Sequence, residues 1–337
     1  MAGGFGAVPP NYWSINSMNR KQLLNILKIV VSLGLLYFIF SNLDLGAFLQ
    51  TVSQAKPGWL LAALVMMLLG VVIRAWRWQI LLDAIGTRVS LGELTNIYFI
   101  GFLFNNLLPS GLGGDAMRII ELNRHSRRGS DAVTSVVVDR FLGLSALQAI
   151  ALLALLFDWD AVPVAVAWFT VAIFIGSLVV GYLLINRSLY LTLQTRLGLF
   201  RRLTNIKMIG NLFESFQRYP LPALGRSYLV AFLFNVSLIA MNNFIGLALG
   251  AEAALAQYAI FVPITSLVLV LPISFAGLGV REEAYRQLFG QAGVPPEIAV
   301  AMSLMVYVVG NICTGLIGGV IYLLRGARDM AASDHQN

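Results

Sequence analysis

Apolar runs of about 18 residues or more recur along this chain, and they restrict its fold more than any other feature. A helix needs about 20 mostly apolar residues to cross a hydrocarbon core, where lipid offers its backbone N–H and C=O groups no partners. Such runs occupy approximately 23–40, 59–82, 132–157, 163–185, 223–249 and 295–324. The chain is 58% hydrophobic and 12% charged, whereas a soluble domain carries about a quarter charged residues. Transmembrane β-strands are shorter and alternate apolar with polar residues, and these runs do neither. The expectation is an all-α polytopic membrane protein with about six full spans in the cytoplasmic (inner) membrane.

The charge distribution orients the spans. Lysine and arginine exceed aspartate and glutamate by seven. They cluster in loops between apolar runs, which fits positive-inside topology and anionic lipid headgroups better than nucleic acid. Arg20, Lys21 and Lys28 place the start of the first run inside, as a retained span rather than a cleaved leader. The second run returns inside. The cluster Arg118, Arg124, His125, Arg127 and Arg128 must also lie inside. The segment between them, 91–118, therefore enters and leaves on one face as a re-entrant pair of half-helices. By the same count, 257–271 and 281–292 form a second pair that enters from outside. Two broken-helix pairs entering from opposite faces are the mark of an inverted repeat, and both termini then fall in the cytoplasm.

Residues 1–19 read as a disordered tail and 326–337 as a second tail. Between them, 20–325 forms one membrane domain with halves of about 20–157 and 163–325. The run 163–185 is uniformly apolar and suits a lipid-facing position. Across 196–218, Leu199, Leu203, Ile206, Ile209, Phe213 and Phe216 recur at steps of three and four, with basic residues on other faces. That pattern predicts an amphipathic helix at the interface, acting as a headgroup-level anchor or as a cytoplasmic strut. The loop 41–58 holds only Asp44 and Lys56 as charges and suits the outer side.

The breaks carry the chemistry. Residues 105–118 read NNLLPSGLGGDAMR and 271–283 read LPISFAGLGVREE. Both run Leu-Pro, a serine, Gly-Leu-Gly, then charges of both signs. Proline and glycine interrupt the helix, and a half-helix starting after such a loop points free N–H groups and a positive dipole end at the site. Asn105, Asn106, Ser110, Gly111, Gly113 and Gly114 in the first copy, with Ser274, Gly277 and Gly279 in the second, are candidates to line it. The membrane-depth charges are Arg74, Arg118, Arg140 and Arg281 against Asp115, Asp139, Glu282 and Glu283. They form either buried ion pairs that hold the bundle or a hydrated cavity for an ionic headgroup. Asp139 and Arg140 are sequence neighbours on a helix and point about 100° apart, so each needs a partner on another segment. Arg77 suits snorkelling to the inner headgroups, and Arg74, about 12 Å from the helix end, faces either the interface or the bundle interior. Asn235 and Asn242 share a face and suit interhelical hydrogen bonds; Gly315 and Gly319 suit close helix contact.

Little points to catalysis. One cysteine, Cys313, and two distant histidines make neither a disulfide nor a zinc site. No Ser-His-Asp order or phosphate-loop motif occurs, and Asp158-Trp159-Asp160 reads as a short polar turn. No cofactor, metal or catalytic residue is expected.

NNLLPSGLGGDAMR, RAWRWQILL at 74–82, VVVDRFLGL at 136–144 and PISFAGLGVREEAY at 272–285 together resemble the transmembrane domain of lysylphosphatidylglycerol synthases. The resemblance runs from about 20 to 325. It implies a lipid flippase acting on a phospholipid, an aminoacyl-phosphatidylglycerol or a polyprenyl-phosphate-linked lipid, and no enzyme, because the soluble aminoacyltransferase domain has no counterpart before Asn337. A separate lipid-modifying synthase is the implied partner. The residues carried over by motif are Arg74, Arg77, Asp115, Arg118, Asp139, Arg140, Arg281, Glu282 and Glu283. A secondary transporter of a small anionic or zwitterionic solute and a lipid-phosphate-dependent transferase are the alternatives.

Overall fold

The computed structural model describes residues 20–107, 113–126, 129–157, 159–198, 202, 204, 207–270, 274 and 277–334. All regular elements among them are helical. Five helices are long and apolar enough to cross a membrane: Pro57–Ala84, Asp131–Phe157, Val164–Ile185, Leu221–Leu249 and Pro296–Gly326. A sixth crossing is made if α1 (Arg20–Ser41) and α2 (Leu45–Ser53) count together, with a 93° bend between them. The outer loop expected at 41–58 is therefore partly helical. Asp44 is the reason: its carboxylate accepts from the Ala47 N–H at 3.0 Å and caps the new helix. Phe48 then packs on the small cluster of Ile39, Leu43 and Val300.

Two helices form the centre. α3 (Pro57–Ala84) starts on a proline whose fixed φ suits a first turn. It lies along α10 (Leu221–Leu249), which ends at Gly250 with φ 77°. At one end of this pair the Lys56 N–H donates to the Ala248 carbonyl at 2.9 Å, and Trp59 stacks on Phe244.

The broken stretches are helical hairpins. α4 (Leu91–Leu107) and α5 (Gly113–Ser126) cross where Gly101 faces Gly114, and a Cβ on Gly114 would sit 2.8 Å from the Gly101 carbonyl oxygen. The open end of this hairpin meets the end of the last helix: Arg325 reaches Glu93 at 2.7 Å and Glu121 at 3.6 Å. α11 (Leu255–Val270) and α12 (Val280–Gln291) form the second hairpin, with Tyr258 and Phe289 rings 5.0 Å apart near its open end. That end follows the C-terminus of α10, beside Lys56, so the two hairpins open at opposite ends of the bundle. Gly277 and Gly279, at φ 78° and 83°, turn the chain into α12 through conformations that a side chain disfavours.

α6 (Gly129–Phe157) passes both hairpins, and α7 (Val164–Ile185) lies outside it. Only 11% of the apolar window of α7 is buried, so it faces lipid as expected. Of the amphipathic helix expected over 196–218, Leu199, Leu203 and Ile206 lie outside the described residues, and the later part is corrected. α8 (Arg187–Arg196) ends where that stretch begins, α9 (Lys207–Gln217) covers its second part, and Phe213 and Phe216 of α9 are buried rather than free for the membrane. Phe213 stacks on Tyr190 and Phe216 meets Phe141 edge-on, within a cluster completed by Leu81, Leu142 and Leu184. The bundle supplies the apolar surface that bare periodicity assigned to lipid, so α9 is a strut.

The last span comprises α13 (Pro296–Tyr307), a wide π-helical turn (Val308–Cys313) and α14 (Thr314–Asp334). α14 packs on α4 through glycine. Gly318 lies against the Phe99 carbonyl and Gly315 against Leu103. The expected Gly315–Gly319 contact is thus carried mainly by Gly315 and Gly318.

Candidate functional site

Asp139 joins four helices. It is 1% exposed on α6. Its Oδ1 accepts from Arg77 Nε of α3 at 2.7 Å, and its Oδ2 accepts from the Tyr98 hydroxyl of α4 at 2.9 Å and from Arg118 Nη2 of α5 at 3.2 Å. An isolated carboxylate at this depth would be costly, and two guanidiniums with a phenol offset that cost. Arg140, the neighbouring residue, points elsewhere and pairs with Asp115, which also accepts from Arg118 at 3.3 Å. The requirement that Asp139 and Arg140 each find a partner on another segment is met.

One expectation is corrected. Arg77 does not snorkel: it is 3% exposed, because Asp139 satisfies it within the bundle. Arg118, a charge of the first broken stretch, is also buried. It is 2% exposed and sits against the rings of Trp78 and Tyr98 at 4.2 and 4.0 Å. Trp78 is fixed in turn by its Nε1–H donating to Ser135 Oγ at 2.9 Å. Asp115 does keep an exposed edge, at 15%.

Gly143 makes room for this cluster. A Cβ there would sit 2.8 Å from Arg77 Nη1. Gly143→Ala is expected to displace the Arg77 guanidinium from Asp139 and lower stability by about 1–3 kcal/mol. Thermal unfolding in detergent checks this, and Gly176→Ala, with nothing within 4 Å, is the matched control.

Two adjoining cavities open beside the cluster. The smaller, about 130 Å³, is lined by Arg74, Tyr98, Gly101, Phe102, Asn105, Gly114, Asp115, Arg118 and Arg140. The larger, about 330 Å³, shares Arg74, Phe102 and Arg140 and reaches the bundle centre. Its walls include Arg77 and Asp139, then apolar side chains such as Met67, Leu144, Leu147, Leu238 and Met241, and finally Ser266 and Asn311. Arg74 faces the interior. Its guanidinium lies 5.0, 5.6 and 5.1 Å from the rings of Tyr98, Phe102 and Phe234. It has no ion-pair or hydrogen-bond partner among the described residues, and its Nε is buried without one. Across the two cavities, four arginines (Arg74, Arg77, Arg118, Arg140) meet two carboxylates (Asp115, Asp139), an excess of two positive charges.

The described residues of the second broken stretch do not line these cavities. Glu282, 0% exposed, accepts from the Gly279 N–H at 2.6 Å and pairs with its neighbour Arg281 at 2.8 Å. Ser303 of α13 bonds both, and Arg281 lies over the Tyr307 ring. These charges neutralise each other away from the cavities. Glu283 turns outward to Arg286 and Gln287. Ser274 is buried, and Gly277 shapes the turn. Of the first stretch, Asn105 and Gly114 line the smaller cavity and Gly113 is buried. Asn106 instead donates to the Asn311 carbonyl at 2.7 Å. Ser110, Gly111 and the turn residue Asp158 lie outside the described residues.

Tyr98, Gly143, Phe102, Phe234 and Ser266 were not legible as site residues, since each reads as an ordinary member of an apolar run. Asn235 bonds across helices as expected, donating to the Gly143 carbonyl at 3.2 Å, and it also lines the larger cavity. Asn242 bonds within its helix at 2.9 Å and accepts from the Tyr285 hydroxyl.

The family description that matches is the transmembrane region of lysylphosphatidylglycerol synthase, over residues 25–318. A UPF0104 membrane protein of Pyrococcus horikoshii is 23% identical over 331 residues, covering 90% of this chain and 97% of its own. One from Methanothermobacter thermautotrophicus is 24% identical over 315 residues, covering 86% and 90%. A third, from Methanocaldococcus jannaschii, is 22% identical over 339 residues, covering 91% and 96%.

Proposed function

Because the chain belongs to the family of lysylphosphatidylglycerol synthase transmembrane regions, we propose that it moves a phosphate-containing lipid between the leaflets of the cytoplasmic membrane. One observation carries this reading. The arginine-lined smaller cavity adjoins a larger one with arginines at one end and apolar walls beyond, which suits a phosphate at one end and acyl chains at the other. A small hydrophilic solute would have no use for Leu144, Leu147, Leu238 and Met241 along its path, so the lipid is favoured over a soluble ion. Arginine gives bidentate phosphate contacts that lysine does not. We assign the protein movement of lipid and no bond-making step. A separate synthase would modify the lipid.

The two hairpins extend the proposal. They open at opposite ends of the bundle, as the halves of an inverted repeat do, and rocking of one half against the other would expose the cavities to each leaflet in turn.

The test is reconstitution of the full chain into liposomes with labelled lipids carrying phosphate headgroups. Protein-dependent translocation is expected. Ser266→Phe, which fills the larger cavity, is expected to cut the rate about tenfold or more while unfolding temperature stays near that of the parent. Equal rates with and without protein, or an unchanged rate after Ser266→Phe, would overturn the reading.

A further inference from the structure

We propose that the arginine cavity selects a headgroup carrying two negative charges, of the terminal phosphomonoester type, over a singly charged phosphodiester or a cationic headgroup. This rests on the reading of the cavity as a headgroup site and adds its selectivity.

The charge count points there. Asp139 is shared by Arg77 and Arg118, and Asp115 is shared by Arg118 and Arg140. Two carboxylates thus serve three arginines, and Arg74 stands outside the network with no carboxylate partner among the described residues. A phosphodiester would leave one of the two excess positive charges uncompensated at membrane depth, which is costly. A dianion balances both. A lysyl-type ammonium finds no free carboxylate, because both are already held by guanidiniums.

Arg74 is built for the part. Three aromatic faces hold its guanidinium in place without neutralising it. It borders both cavities, so a phosphate there would also come within range of Arg140. Tyr98 donates its hydroxyl to Asp139 and so completes the carboxylate rather than competing for the ligand.

The same chemistry exists in a lipid phosphomonoester and in free phosphate, and the experiment separates them. Purified full-length protein in detergent is titrated with short-chain phosphatidic acid, short-chain phosphatidylglycerol and inorganic phosphate. At about pH 8, phosphatidic acid is expected to bind about tenfold more tightly than either of the others. As pH falls through the second phosphate pKa, about 6, the preference over phosphatidylglycerol should shrink, because the ligand loses a charge while the arginines keep theirs.

Arg74→Gln is expected to remove most of the preference. Asp115→Asn, which raises the positive excess, is expected to preserve or tighten phosphatidic acid binding; damage to the fold would weaken it. Equal binding of the two lipids, tighter binding of phosphatidylglycerol, or weaker phosphatidic acid binding in both variants sinks the proposal. Inorganic phosphate binding as tightly as the lipid would do the same for its lipid part. Translocation in liposomes is scored separately. Flipping without a dianion preference overturns this inference and leaves the transport reading standing. A dianion preference without flipping does the reverse.

Discussion

Asp139→Asn is expected to lower stability by about 3–5 kcal/mol and to abolish lipid translocation. The substitution keeps the shape and removes the charge that Arg77 and Arg118 share. Both guanidiniums are buried, at 3% and 2% exposure, and Asp139 is the carboxylate they share. Removing one partner of a buried pair leaves an uncompensated charge, which costs more than the pair itself contributes. The paired change Arg77→Gln with Asp139→Asn separates the two roles. It removes one charge of each sign, so part of the lost stability should return while translocation stays absent. The readout is thermal unfolding followed by alkylation of Cys313, the chain's single cysteine. Unchanged unfolding in the single variant would show that Arg77 and Arg118 find other counter-charges.

Gly318→Ala is expected to separate α14 from α4 and cost about 1–3 kcal/mol or more. A Cβ at Gly318 would fall on the Phe99 carbonyl, a backbone atom that cannot swing aside as a long side chain would. The helices must move apart, and the Asn106 bond to the Asn311 carbonyl is stretched with them. Gly225→Ala provides the contrast. It lies in α10 with nothing within 4 Å, so it should be neutral or stabilise by about 0.5–1 kcal/mol through helix propensity alone. If both glycine variants unfold at the same temperature, close approach of α14 to α4 is not a stability determinant.

These two sites show unevenly what a chain of this kind reveals before it is folded. The requirement for partners at Asp139 and Arg140 followed from helix geometry alone. Their identities did not, because Arg77, Tyr98 and Arg118 reach Asp139 from three other helices, and sequence carries no distance between them. Arg77 looked like an interfacial residue because Trp76 and Trp78 flank it, and that aromatic pattern also fits a membrane belt. The opposite error arose at Arg281 and Glu282. Their likeness to the first stretch suggested a second half of one cradle, but Ser303 and the Gly279 N–H bring these neighbours into a closed pair. The spans themselves were legible because hydrocarbon thickness sets their length. α2 was not, since its helix depends on one capping aspartate. The burial of Phe213 and Phe216 in α9 was not legible either, since an apolar period fits a packed helix and an interfacial one alike.

The π-helical turn at Val308–Cys313 has a bearing on how this lineage could vary. A wide turn holds one residue more than an α-helical path needs. Straightening the turn into an ordinary helix while keeping that residue would rotate everything beyond it by about 100°. Gly315 and Gly318 would then no longer face α4, and bulkier side chains of the last helix would meet Phe99 and Leu103 instead. The turn therefore acts as a phase setting between the two halves of the last span. A single-residue deletion within it is therefore expected to leave Gly315 and Gly318 against α4.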